Sequence, residues 1–231
     1  MCLKRNIRNK IFTVINSIGR LVLNISIFDK SFSIFSNDCF AGEIYKWMRL
    51  PYNTPFIGLM LMGPCYIKFL QNPKYYFDSE LKFIDESSYR EMNDFRKANH
   101  IYPLGKLEDI EIHFLHYSSR NDAKLKWERR IKRINWSNLK IKFSVDKDYS
   151  TKSTLNEFEK LEYNSKVSFS NINYKSKSNI MIPGNVLDAT VTFYLSLKVF
   201  NLIGWLNDGT IHFNSTISKL RAYLLFLTLR S

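Results

Sequence analysis

Four side chains in this sequence have the types that nucleophilic and acid–base chemistry uses at close quarters: Cys39, Glu111, His113 and His116. Cys39 stands in the run Ser36-Asn37-Asp38-Cys39-Phe40-Ala41-Gly42, a small polar turn after an apolar stretch. A helix starting near Ala41 would aim free N–H groups and the positive end of its dipole at that turn, which attracts anions and favours a thiolate. Glu111 and His113 are two residues apart, so on a strand they share a face. With Cys39 they are the parts of an acyl-transfer site: thiol, base and orienting carboxylate. Cys39 is equally suited to be a small buried hydrophobe lining the turn. Asn37 and Asp38 could hold sugar or ribose hydroxyls, or could close an Asx turn or cap the helix with no ligand at all.

Cationic groups form a second constellation. Arg129, Arg130 and Arg133 follow Lys124 and Lys126 in one amphipathic stretch, and Lys126, Arg130 and Arg133 fall on one helix face. Guanidinium groups grip phosphate in two-pronged fashion, which suits a nucleotide-sugar diphosphate or a lipid pyrophosphate. The same pattern also describes a solvated helix face. Tyr45, Trp47 and Tyr52 could stack on a sugar or belong to the core. His113 and His116 point to opposite faces of a strand, and no third ligand stands at a recognisable spacing, so no metal is expected. No Walker loop, dinucleotide fingerprint or Gly-x-Ser-x-Gly elbow is present, and no cofactor is expected.

The elements that must position these residues are legible in part. Phe32–Phe35 reads as a strand and Gly42–Arg49 as a helix stopped by Leu50-Pro51. Pro55–Met62 is a continuous apolar run, the pattern of a central strand buried on both faces. Pro64–Asn72 reads as a helix with proline in its first turn. Residues 73–108 read as short elements and loops. Asp109–Leu115 and Leu139–Val145 read as strands, with a helix between them capped by Ser118 or Ser119 and running to Arg133. Ser153 starts a short helix over 154–161, and Val167–Phe169 and Ile180–Ile182 read as late strands. Asp188–Phe200 has helical character weakened by Thr190, Val191 and Thr192, and Asn207-Asp208-Gly209 is a turn. Alternating strands and helices predict a three-layer α/β/α fold with a mostly parallel sheet, a single domain over residues 28–215.

Residues 1–27 form an amphipathic basic helix, with Ile7, Ile11, Val14, Ile15, Ile18, Leu21, Val22 and Ile25 at helical spacing. Residues 216–231 form an apolar basic tail. Each is suited to packing on the domain or to lying on an anionic membrane surface. The net charge is +13, and residues 118–147 alone carry ten basic and three acidic side chains. A focused positive field calls for a polyanionic partner. No zinc-finger spacing, basic heptad or RNA-binding aromatic signature is present, so nucleic acid is not expected. Three cysteines fit no disulfide framework. No leader pattern and no apolar run of membrane-spanning length is legible, so a cytoplasmic protein is expected, peripheral on the inner face of the plasma membrane if it meets lipid.

Three runs together resemble a known family: Ser36–Tyr45, Leu50–Leu59 and Asp109–Tyr117. Lys126-Trp127-Glu128-Arg129-Arg130, Arg133-Ile134-Asn135 and Trp205-Leu206-Asn207 extend the likeness over roughly residues 30–208. The family is the bacterial domain-of-unknown-function family numbered nineteen-nineteen, often labelled exopolysaccharide biosynthesis protein. What the resemblance implies is a context, the assembly of capsule or exopolysaccharide. Within it, the residues suggest a transferase taking a nucleotide-sugar or acyl donor and a lipid-linked glycan acceptor. Asn37, Asp38, Arg129, Arg130 and Arg133 would bind substrate, and Cys39, Glu111, His113 and His116 would do the chemistry. The alternative is a non-catalytic accessory protein that docks polysaccharide enzymes on the membrane.

Overall fold

In the computed structural model, residues 2–184 and 188–229 are described, with the side chains of residues 2–9 and 12 outside that description. The expected stripe position Ile7, the basic side chains of Lys4, Arg5 and Arg8, and Arg230 therefore lie outside the described residues. Helix α1 spans Cys2–Ser26. Strand β1 (Ser33–Ser36) runs into α2 (Phe40–Met48), and α3 (Gly63–Gln71) and α4 (Pro73–Asp78) follow. Next come β2 (Lys82–Ile84), α5 (Arg90–Ala98), β3 (Leu104–Leu107), β4 (Ile110–His113) and α6 (Arg120–Ile131). The second half holds β5 (Leu139–Ser144), α7 (Lys152–Lys160), β6 (Lys166–Ser170), β7 (Asn179–Met181), α8 (Ala189–Ser196), α9 (Leu202–Asp208) and α10 (Thr216–Thr228).

The fold is mixed α/β. The larger sheet has four strands in the order β1-β5-β6-β7, and every pairing in it is parallel. A separate antiparallel sheet joins β2, β3 and β4, so the expectation of one mostly parallel sheet covers only part of the molecule. Side-chain alternation splits the buried residues into two clusters. Ile34, Val167 and Phe169 belong with apolar side chains of α1, α2, α8, α9 and α10. Phe35, Ile141 and Phe143 belong with those of α3, α6, α7 and β4.

Local signals explain most helix ends. Ser119 caps α6 by accepting from the Asp122 N–H, and Asp188 caps α8 by accepting from Thr190 and Val191. Thr151, rather than Ser153, caps α7, in a capping box with Thr154. Gly209 closes α9 in a left-handed conformation (φ 87°), where it returns N–H bonds to Gly204 and Trp205. The run Pro55–Met62 departs from expectation. It is buried but not a strand: only Met60 bridges, to His113, while the Leu61 N–H donates to the Asn37 carbonyl. Two prolines bracket this run, and Gly58 adopts φ +70° within it. It thereby joins the edge of the parallel sheet to the antiparallel one without completing either.

Candidate functional site

The carboxyl end of β1 delivers Asn37, Asp38 and Cys39 to the place where the neighbouring strand β5 also ends. Ser36 and Lys142 are register partners across the two strands. The Lys142 ammonium lies 2.7 and 2.8 Å from the two Asp38 carboxylate oxygens. Lys147, in the loop after β5, reaches the same carboxylate at 2.8 Å. The Ser144 hydroxyl donates to Asp38 Oδ2 at 2.8 Å, and the Ser36 hydroxyl to Oδ1 at 3.0 Å. The whole cluster is buried: Lys142 is 0 % and Asp38 4 % exposed. Lys142 also sits 5.0 Å from the Phe40 ring centre, a cation–π contact.

Charge sets the protonation here. Burial alone would raise the Asp38 carboxyl, but Lys142 and Lys147 outweigh it and hold it well below the usual carboxylate range. Burial lowers Lys142 to about 8, with Asp38 offsetting part of the effect. For Lys147 burial is overcome by Asp38 and Asp148, and its pKa is raised. Asp148, 3.7 Å from Lys147, is raised by burial and by the Asp38 charge. The loop that presents Lys147 is bent by left-handed backbone at Asp146, Asp148 and Tyr149 (φ 66°, 50° and 60°). Such a run of non-glycine residues persists only where the surroundings enforce it.

Two expectations for this corner change. Asp38 Oδ1 accepts from the Phe40 N–H at 3.1 Å, so the anion at the start of α2 is the protein's own carboxylate. Cys39 is a thiol and not a thiolate: burial, then the Asp38 charge, push it up to about 12 against the opposing lysines. Those lysines and Asp188, the cap of α8, are the other charges acting on it. Charges from the end of β1, from β5 and the loop after it, and from the start of α8 thus act on Cys39 at the carboxyl end of the parallel sheet, the end where α/β proteins receive ligands.

His113 and Glu111 lie on β4, in the antiparallel sheet. His113 is fully buried, its Nδ1 bonded to the Tyr102 hydroxyl at 3.0 Å and its Nε2 4.0 Å from Glu111. Burial lowers its pKa to about 4, and the charges acting on it are Glu111 and Arg96. Burial would raise Glu111, but bonds from Ser87 and Ser88 hold it low. The pair therefore fixes the 85–93 segment against β4, and the described hydrogen bonds and ion pairs of His113 and Glu111 are made with Tyr102, Ser87, Ser88 and each other.

Of the other candidates, Arg130 is buried and donates to the Tyr117 hydroxyl at 2.6 Å while stacking 4.9 Å from the Tyr52 ring centre. Tyr117 in turn donates to the Ile57 carbonyl, and Cys39 is among the groups that act on its phenol. Arg130 and Tyr117 are therefore a buried pair whose phenol feels Cys39. His116, next to Tyr117, is exposed, and its backbone N–H donates to the Gly58 carbonyl. Arg129 and Arg133 face solvent. Asn37 accepts from the Ser144 N–H through Oδ1, while its Nδ2 is buried with no hydrogen-bond partner among the described residues.

Lys142, Ser144 and Lys147 were not among the residues singled out from the sequence. The signal was present: Lys140-Ile141-Lys142-Phe143-Ser144 alternates, and a strand with neighbours on both sides must bury both faces, lysines included. A cleft of about 580 Å³ opens at the other end of the sheet, lined by Asp29, Trp136, Lys140, Tyr163 and Asn207. Asn135 and Asn207 have structural partners there. Asn207 ties Ser26 and Phe28 to α9, and Asn135 bonds Ser31 and Ser33.

Fold and corner together define an α/β protein whose polar cluster sits where parallel strands end. A family model, the domain of unknown function DUF1919, matches residues 8–214, and the chain belongs to this family. It is also 31 % identical over 180 residues to an uncharacterised protein of Haemophilus influenzae, covering 76 % of this chain and 81 % of that one.

Proposed function

We propose that the chain is a transferase in cell-surface polysaccharide assembly, receiving an activated donor at the corner built by Asp38, Lys142 and Lys147. One observation carries this reading: two lysines and one carboxylate are desolvated together at the carboxyl end of the parallel sheet. Buried ion clusters add little to stability compared with apolar packing, and strongly shifted ionisable groups gather at functional sites. In this reading the ion cluster is a rigid floor. Asn37 Nδ2 and the Arg130–Tyr117 pair face the donor, and His116 on the rim takes the proton from the acceptor hydroxyl. Glycosyl transfer fits better than thiol-mediated acyl transfer, because Cys39 holds its proton at neutral pH.

A thermal-shift screen against nucleotide sugars, acyl-CoA and polyprenyl phosphates tests it. A nucleotide sugar should raise the melting temperature of the native chain and not of Asn37→Ala or Arg130→Gln. Stabilisation by none of the three classes would remove the reading. A second reading, a non-catalytic protein that docks polysaccharide enzymes on the membrane, is favoured by the outward apolar faces of α1 and α10. It requires polymer output to tolerate His116→Ala.

A further inference from the structure

We propose that the outer face of α1 and α10 is a docking surface for an anionic lipid bilayer. A helix on a water-soluble domain ordinarily turns its apolar stripe inward. In α1 the arrangement is reversed. Ile11, Val14, Ile18, Leu21 and Ile25 are between 46 and 68 % exposed, while Gly19 and Leu23 on the opposite side are buried. Gly19 meets Thr228 and Leu229 so closely that a Cβ there would lie 2.3 Å from the Thr228 hydroxyl. Helix α10 repeats the pattern: Ala222 and Leu225 face the core, and Ile217, Leu220, Leu224 and Leu227 stay between 37 and 67 % exposed. Apolar rows of this size mark interaction surfaces. No helix among the described residues is long and apolar enough to cross a membrane, so the contact is one of lying on the surface.

Charge selects the occupant. Neither helix contains an acidic residue. The α1 sequence carries Lys4, Arg5, Arg8 and Lys10, besides Arg20, which turns inward onto Trp47, and α10 carries Lys219 and Arg221. At about 100° per residue, Lys219 and Arg221 fall on either side of the exposed row of α10. Apolar side chains between basic ones are the pattern of helices that insert shallowly at an anionic interface. The alternating three- and four-residue spacing of both rows also suits a coiled-coil seam with a second copy. That contact would set cationic helices against each other with no carboxylate to pair with. The inference makes no use of the Asp38 corner, and its failure would leave the transferase reading untouched.

Flotation of the full chain with lipid vesicles tests it. The chain should float with phosphatidylcholine vesicles containing phosphatidylglycerol, remain behind with pure phosphatidylcholine, and be released by high salt. Leu21→Ser with Leu220→Ser should abolish flotation. Lys219→Gln with Arg221→Gln should weaken it roughly 30-fold. All four side chains are exposed, so the variants keep the fold, which circular dichroism checks. No flotation with the anionic vesicles, or equal flotation with both kinds, overturns the proposal. A dimer in light scattering that falls apart in Leu21→Ser/Leu220→Ser and ignores vesicles would assign the face to a second copy instead.

Discussion

Lys142 and Asp38 reach each other from adjacent parallel strands, ammonium to carboxylate at 2.7 and 2.8 Å, with neither more than 4 % exposed. Strand pairing fixes the approach, since Ser36 opposes Lys142 and Asp38 follows two residues later. Neither charge has an alternative in water. Removing one partner leaves the other desolvated, a loss of about 3–5 kcal/mol. Lys142→Met should therefore unfold at much lower urea than the native chain. Asp38→Asn should be similar, since it strands Lys142 and takes from Lys147 its closest carboxylate. The double variant should cost clearly less than the sum, because the two changes act on one network. Additive losses in urea denaturation would mean that the two residues do not share it.

That relationship also marks where sequence reasoning stopped. Helix α2, the strand before it and the Ser119 cap follow from propensity, capping and apolar spacing, all of them local. The lysines of β5 carry no local mark of their role, because alternation alone does not say how many neighbours the strand has. Only its place between β1 and β6 makes Lys142 an interior residue. The same limit applies to β4, which carries His113: it belongs to a different sheet from β1, and no local pattern reports which sheet a strand joins. The Pro55–Met62 run differs for the opposite reason: its apolar composition reports burial, and burial does not require a strand.

Cys39 should alkylate slowly. At pH 8 a thiol with a pKa near 12 has roughly a thousandth of the thiolate of an ordinary cysteine. Iodoacetamide labelling followed by mass spectrometry should show native Cys39 lagging the urea-unfolded chain by at least about that factor. Asp38→Asn should speed the reaction, because the carboxylate raises the thiol and the two lysines lower it. Fast labelling of the native chain at pH 8 would restore the thiolate reading.

His113 makes stability depend on pH in a definite direction. Its folded pKa of about 4 lies below the ordinary 6.5 because burial disfavours the imidazolium. As pH falls through that interval the unfolded chain takes up a proton that the folded chain refuses, so stability is full above it and declines within it. The interval corresponds to about 3 kcal/mol as an order of magnitude. Asp38, held below the usual carboxylate range, adds a separate loss at lower pH still, as the pH falls through its folded value. Urea midpoints should fall between pH 7 and pH 4.5 in the native chain. His113→Gln should be less stable at neutral pH but much flatter over that range. An equally steep decline in the variant would exclude His113 as its source.

Gly63 and Gly42 open the two helices nearest the corner, and a methyl group should act oppositely at each. A Cβ on Gly42 meets nothing within 4 Å, so Gly42→Ala relieves the entropy cost of a helical glycine and should stabilise by about 0.5–1 kcal/mol. A Cβ on Gly63 would lie 2.3 Å from the Ser150 hydroxyl and 2.9 Å from the Ser150 Cα. The hydroxyl can swing aside, but the Cα cannot, and the Gly63 N–H is bonded to the Asp148 carbonyl at 2.7 Å. The methyl therefore pushes on the loop that holds Lys147 against Asp38. Gly63→Ala should cost about 1–3 kcal/mol and, if the corner receives a donor, should also lose the ligand-induced thermal shift that Gly42→Ala keeps. Equal effects of the two alanines on melting temperature would show that the loop after β5 is not braced by α3, and Lys147 would then need another reason for its position.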